Sequence, residues 1–156
     1  MIRVGTLNDL TARGGHLLAA AAKETGIGAV PDEALIRHVD ELGLLLVLLV
    51  EHEGKLVGYA LACLEPEVWR IMRCCACWSV YVQPDRRGTY GAPLIRKLIQ
   101  AGREAGADLV RVPARYGERH CRMLERLGMV PRSVAYEMDL RQRTPRDARS
   151  RARRGG

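Results

Sequence analysis

Apolar and polar residues alternate from Ile2 to Leu7, which predicts a first β-strand. Asn8 or Asp9 can cap the helix that follows, because their side chains accept from free backbone amides. That helix is expected from about Leu10 to Glu24, with an interruption at Gly14-Gly15. TGIGAV reads as a loop. Pro31-Asp32-Glu33 then opens a second helix, with a proline and two acids in its first turn, where the helix dipole favours them. Ala34, Leu35, Val39 and Leu42 give this helix an apolar stripe, and Gly43 ends it.

Leu44 to His52 predicts a strand, Glu53-Gly54 a tight turn and Lys55 to Leu64 the partner strand. Leu44 to Val50 is apolar at every position, so this strand should be covered on both faces. Pro66 to Arg73 is a connection. Cys75 to Gln83 is a further strand, stopped by Pro84. A loop follows, and Pro93 fits the first turn of the next helix, whose buried face is Leu94, Ile95, Leu98, Ile99 and Ala105. Gly106 caps its end, and Asp108 to Pro113 is a short strand. Glu118 to Leu127 is a last helix, and Met129–Arg132 and Val134–Leu140 are expected as two closing strands. The order is βααβββαβαββ, which predicts an α/β domain with a mixed sheet and helices on both faces.

The 156 residues suit one domain. Phe is absent, so Leu, Val, Ile, Met and two Trp must fill the core. Charge separates the chain into two parts. Residues 141 to 156 hold seven Arg against Asp147 alone, whereas residues 1 to 140 hold 18 bases and 17 acids. The body is therefore nearly neutral. The tail RQRTPRDARSRARRGG has no aliphatic side chain larger than Ala and is expected to be disordered when alone. Two readings of it stay open: a solubilising terminus, or an arm that contacts nucleic acid or an acidic protein surface.

The five cysteines are Cys63, Cys74, Cys75, Cys77 and Cys121. An odd count with no export signal favours reduced thiols and a cytoplasmic location. Cys74 and Cys77 form a C-x-x-C, but without a second pair or a nearby His they read as buried thiols, with no metal expected. The longest apolar run, Leu42 to Val50, is far too short to cross a bilayer.

VQPDRRGTYGAPLIRKL, from Val82 to Leu98, carries the most chemistry. A strand running into a glycine-containing loop and then a helix exposes several backbone N–H groups at the positive end of the helix dipole. Such a place takes phosphate, and Arg86 and Arg87 add forked donors. Neither the nucleotide P-loop pattern nor G-x-G-x-x-G is present. An ordinary strand–helix turn with a solvated Arg pair is the alternative.

EGKLVGYALA, WSVYVQPDRRGTYGAPLIRKL and MLERLGMVPRSVAYEMDL, in this order, resemble the GNAT acetyltransferase superfamily over residues 1 to 140. The resemblance implies a single-domain GNAT-like fold with about seven strands. It also implies transfer of an acetyl group from acetyl-coenzyme A, as co-substrate, to an amine on a small molecule or a protein. In the family a loop of form [QR]-x-x-G-x-[GA] binds the coenzyme pyrophosphate. Here Arg87 starts it, Ala92 ends it, and Tyr90 stands at the usual glycine. The implied coenzyme contacts are Val80, Tyr81 and Val82, which pair with the pantetheine arm, and Arg86, Arg87, Gly88, Thr89, Tyr90, Gly91 and Ala92. The loop variant is also similar to acetyltransferase-like proteins encoded by tailed phages. Dimers are common in the fold.

The family's usual tyrosine, which returns a proton to the leaving thiolate, is replaced by Leu124, and its common asparagine seven residues earlier by Gly117. Candidate catalytic groups are Glu65, Glu67, Tyr116 and His120, with Tyr136 as a further proton donor. These departures leave a second reading beside the enzyme: a binding or structural protein of the same fold, without turnover, whose basic tail does the contacting.

Overall fold

In the computed structural model, residues 1–26, 32–67, 72–114 and 117–132 are described. β1 (Ile2–Gly5) leads into α1 (Leu7–Thr25), and α2 (Glu33–Glu41) follows. β2 (Leu45–His52), β3 (Lys55–Glu67) and β4 (Met72–Val82) form the centre. A 3₁₀ turn (Pro84–Arg86) then runs directly into α3 (Arg87–Glu104), followed by β5 (Leu109–Arg111) and α4 (Glu118–Arg126). The sheet order is β1-β2-β3-β4-β5. Every pairing is antiparallel except β4 with β5, which is parallel and joined by α3. The sheet is mixed, as expected, but has five strands among the described residues rather than about seven.

The two faces of the sheet are covered by different helices. Leu7, Leu10, Leu17 and Ile36 of α1 and α2 pack on the face carrying Val47, Leu49, Tyr59, Leu61 and Tyr81. Leu94, Ile95 and Leu98 of α3, with Leu124 of α4, belong to the core on the other face, with Leu48, Val50, Ala60, Val80 and Val82. Val47 to Val50 are all buried, which is why the β2 sequence shows no alternation.

Several boundaries differ from the sequence expectation. The cap of α1 is Thr6, whose hydroxyl accepts from Asp9 N–H at 3.0 Å, while Asp9 accepts from Thr6 N–H. This capping box starts the helix at Leu7. Gly14-Gly15 does not interrupt it. A glycine costs about 1 kcal/mol in a helix, and burial of Leu10 and Leu17 on either side outweighs that. In α2 the buried residue is Ile36, whereas Leu35 and Leu42 are exposed, so the stripe drawn from Ala34, Leu35, Val39 and Leu42 is wrong. β3 runs on to Glu67 and β4 already starts at Met72, which lengthens both beyond the hairpin pattern. Residues 129–132 do not form a strand, and 134–140 lie outside the described residues. The tail, 141–156, and positions 27–30 of the TGIGAV loop also lie outside them.

The largest correction concerns RRGTYGA. It is helix, not loop, and Pro93 lies in the second turn of α3. Proline there removes the N–H that would have bonded to the carbonyl of Thr89, and a proline ring inside a helix crowds that carbonyl. The 3₁₀ turn from Pro84 presets the helical direction, and burial of Leu94, Ile95 and Leu98 holds it.

At Gly58 the backbone of β4 leaves no room for a side chain on β3. A Cβ there would lie 2.7 Å from the Tyr81 backbone oxygen and 3.2 Å from Val82 Cα. Backbone cannot yield as a side-chain tip can. Gly58→Ala is expected to destabilise the fold by about 1–3 kcal/mol, read as a lowered urea midpoint with unchanged slope.

Candidate functional site

β4 is eleven residues long, but only Cys74, Cys75 and Ala76 pair with β5. Beyond Ala76 the two strands part, and Cys77 to Val82 have no partner on that side among the described residues. A bulge sits at the same place. Leu61 pairs with Ser79 and Ala62 with Cys77, leaving Trp78 as an extra residue. An extra residue bends and twists its strand, which turns the end of β4 away from β5.

The free edge has a defined direction. Gln83 N–H donates to the Val57 carbonyl on β3 at 2.9 Å, and the Tyr81 oxygen faces Gly58. Successive residues of a strand point their backbone groups to alternate sides. Those of Val80 and Val82 therefore face the open side. The Val82 carbonyl accepts there from Arg87 Nε at 2.9 Å.

The start of α3 adjoins this edge. Unlike α1 and α2, it has no side-chain cap and no acid in its first turn. No side chain therefore caps its first amides, which lie at the positive end of an eighteen-residue helix. Gly88 has open space around it and Thr89 is exposed, while Gly91 approaches Met123 Sδ of α4 and Ala92 is half-buried.

The side chains expected at the loop are fixed in different ways. Arg86 pairs with the neighbouring Asp85 at 3.2 Å and is half-buried. Arg87 turns back: its Nη2 pairs with Glu24 at the end of α1, and its guanidinium lies 5.6 Å from the Tyr81 ring centroid. Tyr90 points towards the β2–β3 hairpin, where its hydroxyl and His52 Nδ1 are hydrogen-bonded at 2.9 Å. Its ring meets His52 edge-on and packs on the core. The phenol thus leaves the helix start. Nothing in the sequence signalled Glu24, His52 or the 2.8 Å Tyr59–Ser79 hydroxyl pair, because the partners are 63, 38 and 20 residues apart.

Residues 80–82 and 86–92 lie at the end of β4 and the start of α3, and Glu65, Glu67 and His120 lie on β3 and α4. Glu65 pairs with Cys74 in the β3–β4 register, near the point where the strands part, and its carboxylate meets Arg111 at 3.6 Å. Glu67 pairs with Met72 at the far end of that ladder. His120 is half-buried in the first turn of α4. Burial lowers its pKa, partly offset by a hydrogen bond with the Pro113 backbone. Tyr116 and Tyr136 lie outside the described residues. Leu124 is 7% exposed and belongs to the core.

Cys74 and Cys77 are three apart on one strand, so their side chains leave opposite faces and cannot converge on one ion. Burial pushes the Cys77 thiol up to about 12 and Cys75 to about 11. No group of three or more metal-ligating side chains occurs among the described residues, and no helix there is long and apolar enough to cross a membrane.

Solved acetyltransferases share this fold. A solved aminoglycoside acetyltransferase from an uncultured soil metagenomic sample superposes with a TM-score of 0.70 at 19% identity, covering 90% of this chain and 97% of that one. A ribosomal-protein-alanine N-acetyltransferase from Brucella melitensis biovar Abortus 2308 gives 0.69 at 21% identity, covering 90% and 98%. Glucosamine-6-phosphate N-acetyltransferase from Arabidopsis thaliana gives 0.66 at 18%, covering 90% and 99%. At these identities they share the fold alone. No curated protein matches the sequence. The profile of the acetyltransferase (GNAT) family matches residues 16–129, and the chain belongs to that family.

If the Tyr90–His52 bond holds the start of α3 against the hairpin, Tyr90→Phe should keep the fold and lose about 1 kcal/mol. Thermal unfolding of the two proteins side by side measures this.

Proposed function

We propose that the protein transfers an acetyl group from acetyl-coenzyme A to an amine acceptor by direct attack. The observation that carries this reading is the free backbone edge of β4 beside the uncapped start of α3. The residues present fit the coenzyme. Outward backbone groups of Val80 and Val82 suit the amides of a pantetheine arm, laid down like one more strand. The first amides of α3, about Gly88 and Thr89, suit a pyrophosphate. Arg86 can add charge, since its present partner is a sequence neighbour at the surface. Arg87 takes a positioning role, holding the Val82 carbonyl and α1 together.

Acetyl-coenzyme A supplies the thioester, and the protein's part is to orient it and to manage protons. Leu124 cannot donate one. His120 lies one turn earlier in α4, on the same side of the helix. With its pKa lowered by burial, its imidazole is neutral at ordinary pH and can accept a proton. We assign it that role in preference to Glu65, whose carboxylate is engaged by Arg111.

The buried Leu124 favours one other reading, a coenzyme-binding protein without turnover. Coenzyme binding with no thiol release across a panel of amines would select it.

Calorimetric titration with acetyl-coenzyme A is expected to show one site. Arg86→Ala combined with Gly88→Val should weaken binding at least about tenfold, a loss of roughly 1.4 kcal/mol. No heat at millimolar ligand would overturn the reading, and unchanged affinity in the double variant would move the site elsewhere.

If His120 accepts the proton, activity should rise with pH through a midpoint below 6.5, since only the deprotonated ring serves. His120→Gln should abolish that limb and lower kcat by about 10²-fold. A pH profile unchanged by the substitution would remove His120 from the mechanism.

A further inference from the structure

α4, with the sequence ERHCRMLER, carries no hydroxyl to offer a departing sulfur. The open end of β4 does carry one. Ser79 directly follows the bulged Trp78, where β4 has turned away from β5. Its Oγ is hydrogen-bonded to Tyr59 Oη on the neighbouring strand at 2.8 Å. The two residues differ in exposure. Tyr59 is 1% exposed and belongs to the core on the α1 and α2 face, whereas Ser79 is half-buried. A buried phenol needs a partner for its hydroxyl, and Ser79 supplies it. With Tyr59 as donor in that bond, Ser79 keeps its own hydrogen for a further acceptor.

The coenzyme's own length fixes which of its atoms comes near Ser79. Phosphates at the start of α3 lie beyond Val82, so the pantetheine arm runs from Val82 back towards Val80. The sulfur is three bonds beyond the last amide nitrogen, and three bonds are one residue of extended chain, about 3.3 Å. With that amide at Val80, the sulfur comes level with Ser79. The nearby Cys77 thiol is already engaged, since it donates to the Ser79 carbonyl at 3.6 Å.

We propose that the Ser79 hydroxyl, oriented by Tyr59, donates a hydrogen bond to the leaving sulfur of acetyl-coenzyme A, an assignment that rests on the acetyl-transfer reading above. As the amine attacks, a C–N bond forms, the C–S bond breaks, and the electron pair of that bond collects on sulfur. The amine's proton goes to His120, and the thiolate takes its proton from water as coenzyme A departs. Negative charge grows on sulfur only as the bond breaks, so a donor aimed there acts on the transition state with little effect on coenzyme binding. Ser79 touches the reacting atom. Tyr59 acts through Ser79 and is a positioning residue.

A bond to the departing sulfur has the same effect whichever nucleophile attacks. Hydroxylamine can therefore stand for the acceptor, with thiol release followed in the full chain and the uncatalysed rate subtracted. Ser79→Ala should lower kcat by about tenfold or more, while calorimetric affinity for acetyl-coenzyme A stays within about twofold. Ser79→Thr restores a hydroxyl and should recover most of the rate. Tyr59→Phe should also lower kcat, and the double variant should be no slower than Ser79→Ala alone, because Tyr59 works only through Ser79. A pair that serves only the fold would lower the thermal midpoint and leave kcat unchanged. If Tyr59→Phe does not fold, Ser79→Ala against Ser79→Thr decides alone. Three results would overturn the assignment and leave the coenzyme site standing: a Ser79→Ala kcat within about twofold of the parent, a loss that Ser79→Thr does not restore, or a parent that binds the coenzyme yet releases no thiol. A parent that gives no heat with acetyl-coenzyme A would overturn the acetyl-transfer reading itself, and this assignment with it.

Discussion

The parting of β4 from β5 after Ala76 is the constraint on which the remaining features of the site depend. A sheet interior normally satisfies its backbone on both sides, and an unpaired stretch in the middle of one is costly unless something else pairs with it. Here the extra residue at Trp78 twists β4 away, and α3 returns to the short β5 on the other side of the gap. Two features meet at that gap: the outward backbone groups of Val80 and Val82, of which the Val82 carbonyl is held by Arg87, and the uncapped start of α3. An open strand edge or an uncapped helix alone would be a common surface feature. Their adjacency is the basis of the proposed coenzyme site.

The gap is braced by contacts that are long in sequence. Arg87 spans from the Val82 carbonyl to Glu24 and covers Tyr81, so it ties α1, β4 and α3 together at one corner. The ion pair is partly exposed and contributes little by itself. Its value lies in holding the carbonyl and the helix start in a fixed relation. Tyr90 does the same on the other face through His52. A tyrosine where the family pattern has glycine looks obstructive in the sequence. In a helix its side chain is directed away from the free amides, so the obstruction does not arise in this form.

Much of the fold was legible in the chain. The alternation at Ile2–Gly5, the uninterrupted apolar run of β2, the Glu53-Gly54 turn and the leucines of α3 each depend on local periodicity. So does the α/β class, since strand–helix–strand order between β4 and β5 requires a crossover. Residues 82 to 92 stand out in the sequence as a candidate phosphate segment because proline, paired arginines and glycines act over a few residues.

What the sequence by itself determined was the period of each element, the separation of charge along the chain, and the residue types at the end of β4. Those are local properties, set by backbone preference and side-chain polarity. Only the tertiary structure decided that RRGTYGA is helix, because burial of Leu94, Ile95 and Leu98 and the reach of Tyr90 to His52 outweigh two glycines and a proline. It decided that Ile36 rather than Leu35 enters the core, and that Arg87 faces Glu24. It also put Glu65 beside Arg111 and Leu124 in the core. Such pairings are set by which strands part and which helices cover them, and no period of two or 3.6 residues encodes that.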